Sequence, residues 1–584
     1  MSTTADLAAL LPLPVAIPLA GATLAPLVAR IDRRAPLVVG LLGLLGAAGV
    51  LVGIAPRVFG GEVISHYMGG WVPVGGRAIG IAFAADPFGL AYALGAAGIG
   101  AVLLVATVSE LGDLGPREIG GYACLFQLLV AALIGTALTA DLFNLFVWFE
   151  VAALASYGLT GFFLERPIAL EAAFKVLVLT TLASFAIFVG ATLLYANHGA
   201  LNFAQLHAAV AGHPHTADMV ALALLICGFA TKAGLVPFHG WLADAHTAAP
   251  GPVSALFSGL MVSLGVVAIA RIALQIYGPV GGRPVLGLLM AMGVVSALAG
   301  AVLALAQNDL KRLLAYDTVS QMGVLVVGFA TAVPAGVAGA TYHLIDHALY
   351  KSLLFLAAGS VLHATGHEKL SELGGLARRR PVPAIAFMAG VAAIAGIPPL
   401  NGYPSLGLIH EGLTGSGRHA VNLAMLAAQV ITVAALGRAA YLAFFRRRDA
   451  PYEELQPQRP GMIVAFVALG AACLAAGVFP NWILDQVAAP AAASLLHGQV
   501  YANGVLTGHV VLPHLAVSFD YFRPGELLTV AATALAGVLL AAGYLRIAEP
   551  RPIRLLRALH TGSVNDYAAF AAAGILCAVV VLTV

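Results

Sequence analysis

Apolar stretches of roughly 18 to 25 residues recur along this chain from Ala9 to its last residues, and each is long enough to cross about 30 Å of hydrocarbon as a helix. A chain punctuated in this way cannot bury its apolar surface in a soluble core. With 60% hydrophobic and 10% charged residues, 66 glycines and a mean hydropathy of +0.95, it reads as an all-α polytopic membrane protein. The pattern gives about 16 transmembrane helices. The segment 9–29 lacks a basic leader and a cleavage site, so it reads as a retained first span. Three regions follow: 1–119, with three spans and an extracytoplasmic hairpin over 56–86; a core over 120–460; and 461–584, two of whose spans are joined by an amphipathic helix. That helix sets Arg551, Arg554 and Arg557 at helical spacing among Leu555, Leu556 and Leu559. The stretch 481–525 reads as the longest connection.

The net charge of +2 says little, but its placement orients the chain. Alternate loops carry 19 Lys and Arg, including Arg378, Arg379, Arg380 and Arg446 to Arg448, against 5 in the opposite loops. The positive-inside rule then puts both termini outside the cytoplasm of a cell inner (plasma) membrane. Five basic residues remain inside spans: Lys175, Lys232, Arg271, Lys351 and Arg438. Cys124, Cys227, Cys473 and Cys577 lie singly in apolar segments without CxxC spacing, and no nicotinamide, flavin, iron–sulfur or haem motif occurs. No resident cofactor or metal is expected, nor any nucleic-acid partner.

Two spans are interrupted. In "CGFATKAGLVPFHGW" Pro237 cannot donate to the carbonyl of Ala233, and in "AIAGIPPLNGYPS" Pro398 and Pro399 free those of Ile394 and Ala395. These are spans seven and twelve, five apart, as inverted five-helix repeats with broken helices 7 and 12 would place them around an ion site.

Charges inside hydrocarbon cost several kcal/mol, so each needs a partner or a role. Glu150, in "DLFNLFVWFEVAALASY", has no charged neighbour within a turn, and Lys232 beside the first break is its natural partner. The two make either a switchable acid–base pair or a static salt bridge. In "YHLIDHALYKSLLF", His343, His347 and Lys351 share one helix face with Asp346 on its flank, as in a proton relay. Packed core histidines would look the same, and metal ligation lacks a third ligand. Lys175 is as compatible with snorkelling as with function. Asp244 and His246, in "WLADAHTAAPGPVSA", suit a loop at a mouth beside Lys232, while Asp309, Lys311 and Arg312 suit a helix start and Asp317 an interfacial position.

Those motifs, with "ALAQNDLKRLLAYDTVSQMG", together resemble the antiporter-type proton-translocating subunits shared by respiratory complex I, membrane-bound hydrogenases and Mrp-type cation/proton antiporters. The resemblance spans roughly residues 80–480. "DLFNLFVWFE", "GALNFAQL" and "GGW" are most similar to the D subunit of Mrp-type antiporters, whereas "LHTGSVNDYAAFAAAG" resembles the C-terminal region of hydrogenase- and complex I-type subunits. The resemblance implies that Glu150 and Lys232 form the coupling pair and that His343, His347 and Lys351 form the axis of the eleventh helix. It implies an ion-translocating subunit of a multisubunit Mrp-type Na⁺/proton antiporter, with H⁺ and a monovalent cation as its ions and other membrane subunits and the lipid bilayer as its surroundings. The alternatives are a proton-pumping subunit of a redox-driven enzyme, or a scaffold with a degenerate path. Two departures bear on this choice. The eighth helix has only Ser258 and Ser263 where the family often has lysine or histidine, and the twelfth has Leu406 where a charge follows the break. His410 and Glu411 lie one turn later as replacements.

Overall fold

The computed structural model describes residues 4–110, 114–448, 452, 455–457, 459–508, 510–546, 551–558 and 560–583. Among them fourteen helices are long and apolar enough to cross a membrane. A shorter apolar helix covers Pro381–Ile394. Many helices start at proline, whose fixed φ and missing N–H suit a first turn. Others are capped by side chains: Asp141 accepts from the Asn144 N–H at 2.8 Å, and Asp309 accepts from that of Arg312 at the same distance.

The middle of the chain repeats itself. Pro116–Leu138 and Arg283–Leu305 are both 23 residues long and begin 167 residues apart; Pro167–His198 and Pro334–Thr365 are both 32 residues long, with the same separation. Each of the longer helices ends on a left-handed glycine, Gly199 or Gly366. Arg271 donates to the Ala137 carbonyl at 2.9 Å, and Arg438, 167 residues later, donates to the Leu305 carbonyl at 3.0 Å.

Both expected interruptions occur within this repeat. One helix stops at Lys232 and the chain becomes helical again at Leu242; another stops at Ile394 and resumes at Gly402. The turns match bond for bond. Gly234 donates to Thr231 and Leu235 to Ala230 in the first, as Gly396 does to Ala393 and Ile397 to Ala392 in the second. Gly234 and Gly396 have φ of +65° and +70°, a region that only glycine enters without strain. Side chains also donate to carbonyls at the breaks: Trp241 Nε1 reaches Thr231 O at 2.8 Å, alongside the Gly234 N–H, and Gln429 Nε2 reaches Ala395 O at 3.1 Å.

Burial is steepest at the centre. The Leu310–Ala330 helix is buried all round, and Gly251–Ile276 nearly so, whereas the C-terminal helices Pro524–Tyr544 and Val564–Thr583 expose most of their surface. Small residues let the central helices touch: a Cβ on Gly300 would lie 2.4 Å from the Ser320 nitrogen, and one on Gly323 would lie 2.5 Å from that of Ala297.

The 56–86 segment forms the expected hairpin, with Ile64–Tyr67 antiparallel to Ala82–Ala85. By contrast, 481–525 is no simple connection. Its alanine-rich part is helical over Ala489–Leu496 and Gly498–Thr507, and Ser494 is carried into the core, where its hydroxyl meets Asp86. The amphipathic stretch is helical over Arg551–Ala558, with Arg551 and Arg554 exposed. Leu559 and the side chains of Leu555, Leu556 and Arg557 lie outside the described residues.

Candidate functional site

Each of the five basic residues inside spans finds a partner. Lys175 reaches Glu171 at 2.7 Å and Asp244 at 2.9 Å, and Arg312 holds the other Asp244 oxygen at 3.0 Å. Lys232 lies 3.7 Å from Glu150. Arg271 pairs with Asp86 at 2.6 Å, both fully buried. Lys351 pairs with Asp317, also fully buried, and Arg438 caps the carbonyls of Leu305 and Gln307. Lys175 is therefore not snorkelling; it belongs to a network centred on Asp244.

The pairs differ in tightness. Lys351 donates both to Asp317 and to the Leu314 carbonyl, at 3.1 Å for the latter. The Lys232 ammonium is buried and makes no hydrogen bond among the described residues, while Glu150 accepts from the Ser184 hydroxyl and keeps a third of its side chain exposed. A small cavity bounded by Lys232, Phe149, Ser156, Thr180 and Trp241 lies beside them. Such an ammonium is held by charge alone, so small displacements of the broken helix change its coupling to Glu150.

Beyond this pair further polar groups are buried in the core. His246 sits on the short Leu242–Ala248 helix rather than in a loop, because the chain resumes helical form after the break. Its ring is buried against Phe355, at 5.0 Å between centroids, and neither nitrogen is hydrogen-bonded. Ser258 and Thr318 share a hydrogen bond of 2.7 Å next to Asp317. Asp317 is thus a core residue and not an interfacial one, since its whole helix is enclosed. On the Pro334–Thr365 helix, His347 is fully buried with both nitrogens unpaired. His343 contacts Ser405 at 3.0 Å, Gln321 at 3.1 Å and Tyr350 at 3.2 Å. Gln321 also lines a small cavity with Leu406, His410, Gln429 and Thr432. Leu406 and His410 therefore face one space, while Glu411 turns outward to Arg523 at 3.4 Å.

Sequence reasoning missed three features: the acid of the Lys351 pair, the acid of the Arg271 pair, and a contact from the tail. His560, just before the last helix, places its Nε2 2.7 Å from that of His239 in the first break. The first joins residues on different helices, the second joins Arg271 to a residue just before the Pro87–Glu110 helix, and the third joins residues 321 apart; no local pattern marks any of the partners. The available signal was that Lys351 and Arg271 are in-span cations, each of which needs a partner.

A repeated bundle with interrupted helices, buried acid–base pairs and further polar side chains buried in its core has the features of a membrane protein that moves ions. The transmembrane family described as "NADH:quinone oxidoreductase/Mrp antiporter" matches residues 139–432, and the chain belongs to that family. It is 32% identical over 495 residues to the N subunit of the NADH-quinone oxidoreductase of Desulforudis audaxviator, covering 81% of this chain and 96% of that one. It is 29% identical over 503 residues to the D subunit of the Na(+)/H(+) antiporter of Bacillus subtilis, covering 85% and 98%. A chain of the solved Mrp complex from Dietzia sp. DQ12-45-1b superposes with a TM-score of 0.76 at 27% identity, over 85% of this chain and 99% of that one.

Proposed function

We propose that this chain is an ion-translocating subunit of a multisubunit Mrp-type antiporter in the plasma membrane, exchanging H⁺ for Na⁺ or another monovalent cation. The observation that carries the reading is the Glu150–Lys232 pair: two groups costly to bury, 3.7 Å apart, with the ammonium free of hydrogen bonds beside a helix break. When the pair is close, Glu150 stabilises the charged lysine; when it separates, burial favours release of the proton. The released proton passes along Lys351, His347 and His343 to Gln321 and leaves through the cavity of His410, with His246, Lys175 and Asp244 giving access to the pair from the side. The near-full-length likeness to the D-type component of an antiporter supports this assignment. The similar likeness to a component of a quinone oxidoreductase favours a second reading, in which a redox partner drives the same proton path.

In this reading each repeat crosses the membrane five times, counting each interrupted pair as one crossing. An odd number of crossings inverts the second repeat relative to the first. Three spans before the repeats and three after them bring the total to sixteen, which leaves both termini on the extracytoplasmic side. Glu150→Gln and Lys232→Ala test the proposal in vesicles holding the assembled complex. Both abolish cation-driven proton flux while assembly persists. Wild-type flux in either variant would convert the pair to a static salt bridge.

A further inference from the structure

Four carboxylates of the translocation core each have a cation beside them: Glu150 has Lys232, Asp317 has Lys351, Asp86 has Arg271 and Asp244 has Lys175. Asp346 has none among the described residues. It is fully buried on the Pro334–Thr365 helix, and among the described residues no group reaches either carboxylate oxygen with full hydrogen-bond geometry. The side chains that face it are the Ser405 hydroxyl and the Asn401 amide, from the second break and the helix after it. Asn401 is itself fully buried, and among the described residues no group meets its amide oxygen or nitrogen with full hydrogen-bond geometry. The Cys473 thiol and the phenols of Tyr342 and Tyr350 close the surroundings, and His343 is joined to the cluster through Ser405.

We infer that Asp346, Asn401 and Ser405 form a binding site for a dehydrated monovalent alkali cation, at which the cation and a proton compete. The donors are hard oxygens, which suit alkali and alkaline-earth ions rather than transition metals. A single carboxylate settles the charge. With a monovalent cation the site is neutral, whereas a divalent one would leave a net positive charge in hydrocarbon, at a cost of several kcal/mol. Interrupted membrane helices supply such sites because their unwound segments bring side-chain and backbone oxygens together near the bilayer midplane. The exchange balances as a carboxylic acid plus Na⁺ giving a carboxylate–Na⁺ pair plus H⁺. The proton's nearest outlet is His343 through the shared Ser405. This inference rests on the antiport reading for its role, but the site can be tested separately.

Dicyclohexylcarbodiimide modifies protonated carboxyl groups in apolar surroundings, and peptide mass spectrometry locates the adduct. In membranes holding the assembled complex, Asp346 acquires the adduct in choline chloride. NaCl or KCl slows the reaction about tenfold once the cation exceeds its dissociation constant about tenfold. Asp346→Asn removes the adduct; if that variant does not assemble, Asp346→Glu keeps a cation-protected adduct. Equal rates in the three salts, or no adduct in choline at any pH, would overturn the site. Na⁺-driven proton flux in the same vesicles separates the two ideas. Flux with a cation-indifferent adduct removes the site alone, whereas protection without flux removes the antiport reading alone.

Discussion

Lys351→Met is the sharpest probe of how the core is held together. The substitution keeps the length of the side chain but removes the ammonium, leaving Asp317 fully buried with no cation. Its Oδ1 already lacks a hydrogen bond, so no spare donor stands by to replace the lost one. Removing one member of a buried pair costs about 3–5 kcal/mol, because a charge is left uncompensated. At about 1.4 kcal/mol per decade, the folded-to-unfolded ratio falls roughly 140- to 4000-fold. Lipid lowers the figure toward its smaller end, since helices that separate inside a bilayer still keep Asp317 away from water. Removing both charges reverses the effect. Lys351→Met with Asp317→Leu leaves nothing uncompensated, and such replacements are about neutral or even stabilising. The assay is a graded denaturation of the purified complex in mixed micelles, run as a double-mutant cycle, with proton flux measured on the same preparations. The expected result is two unstable single variants and a stable but transport-dead double variant. If the double variant were as unstable as the singles, or if Lys351→Met were as stable as wild type, the argument from charge compensation would fall.

Other expectations follow from the same geometry. His347→Ala lowers flux more than His246→Ala, because His347 lies on the axis between Lys351 and His343 whereas His246 is packed against Phe355; an inverted order of fluxes would move the path. His410→Ala impairs flux and Leu406→Lys partly restores it, since both side chains face one cavity; full flux in His410→Ala would mean that protons leave elsewhere. Arg271→Leu destabilises the chain by about 3–5 kcal/mol in the same denaturation assay by stranding Asp86. Asp86→Asn added to it restores most of the loss, and a failure to restore would assign Arg271's worth to the carbonyl of Ala137 instead.

Span positions and both interruptions were legible because apolar length and proline act locally: a run of hydrophobic residues or a missing N–H has its effect wherever the chain goes. Glu150 and Lys232 were legible as partners by elimination, each being expensive alone. Asp317 was misread for the opposite reason. It sits a turn and a half beyond Arg312, where a residue of an outer helix would meet headgroups, but Leu310–Ala330 is enclosed by neighbours on every side. Which helix is enclosed is decided by tertiary packing, through contacts such as Gly300 against Ser320, and no single stretch of sequence reports it. The stretch 481–525 misled similarly, for its alanines have no long apolar run and become core only against Asp86 and Gln275.

The twin interruptions reach beyond the site itself. The segments "AGLVPFHGW" and "AGIPPLNGY" place their backbone bonds alike, 162 residues apart, yet the residue preceding them is Lys232 in one and Ile394 in the other. A duplicated frame carrying the same charges in both copies would look identical to an ion approaching from either compartment. Here the copies agree in backbone and disagree in side chain. Under the inverted arrangement proposed above, one compartment would face a hinge armed with a cation, and the other a hinge without one beside the Asp346 carboxylate. The difference between the two faces would then lie in side chains alone, which can be exchanged without disturbing the backbone frame that both copies share.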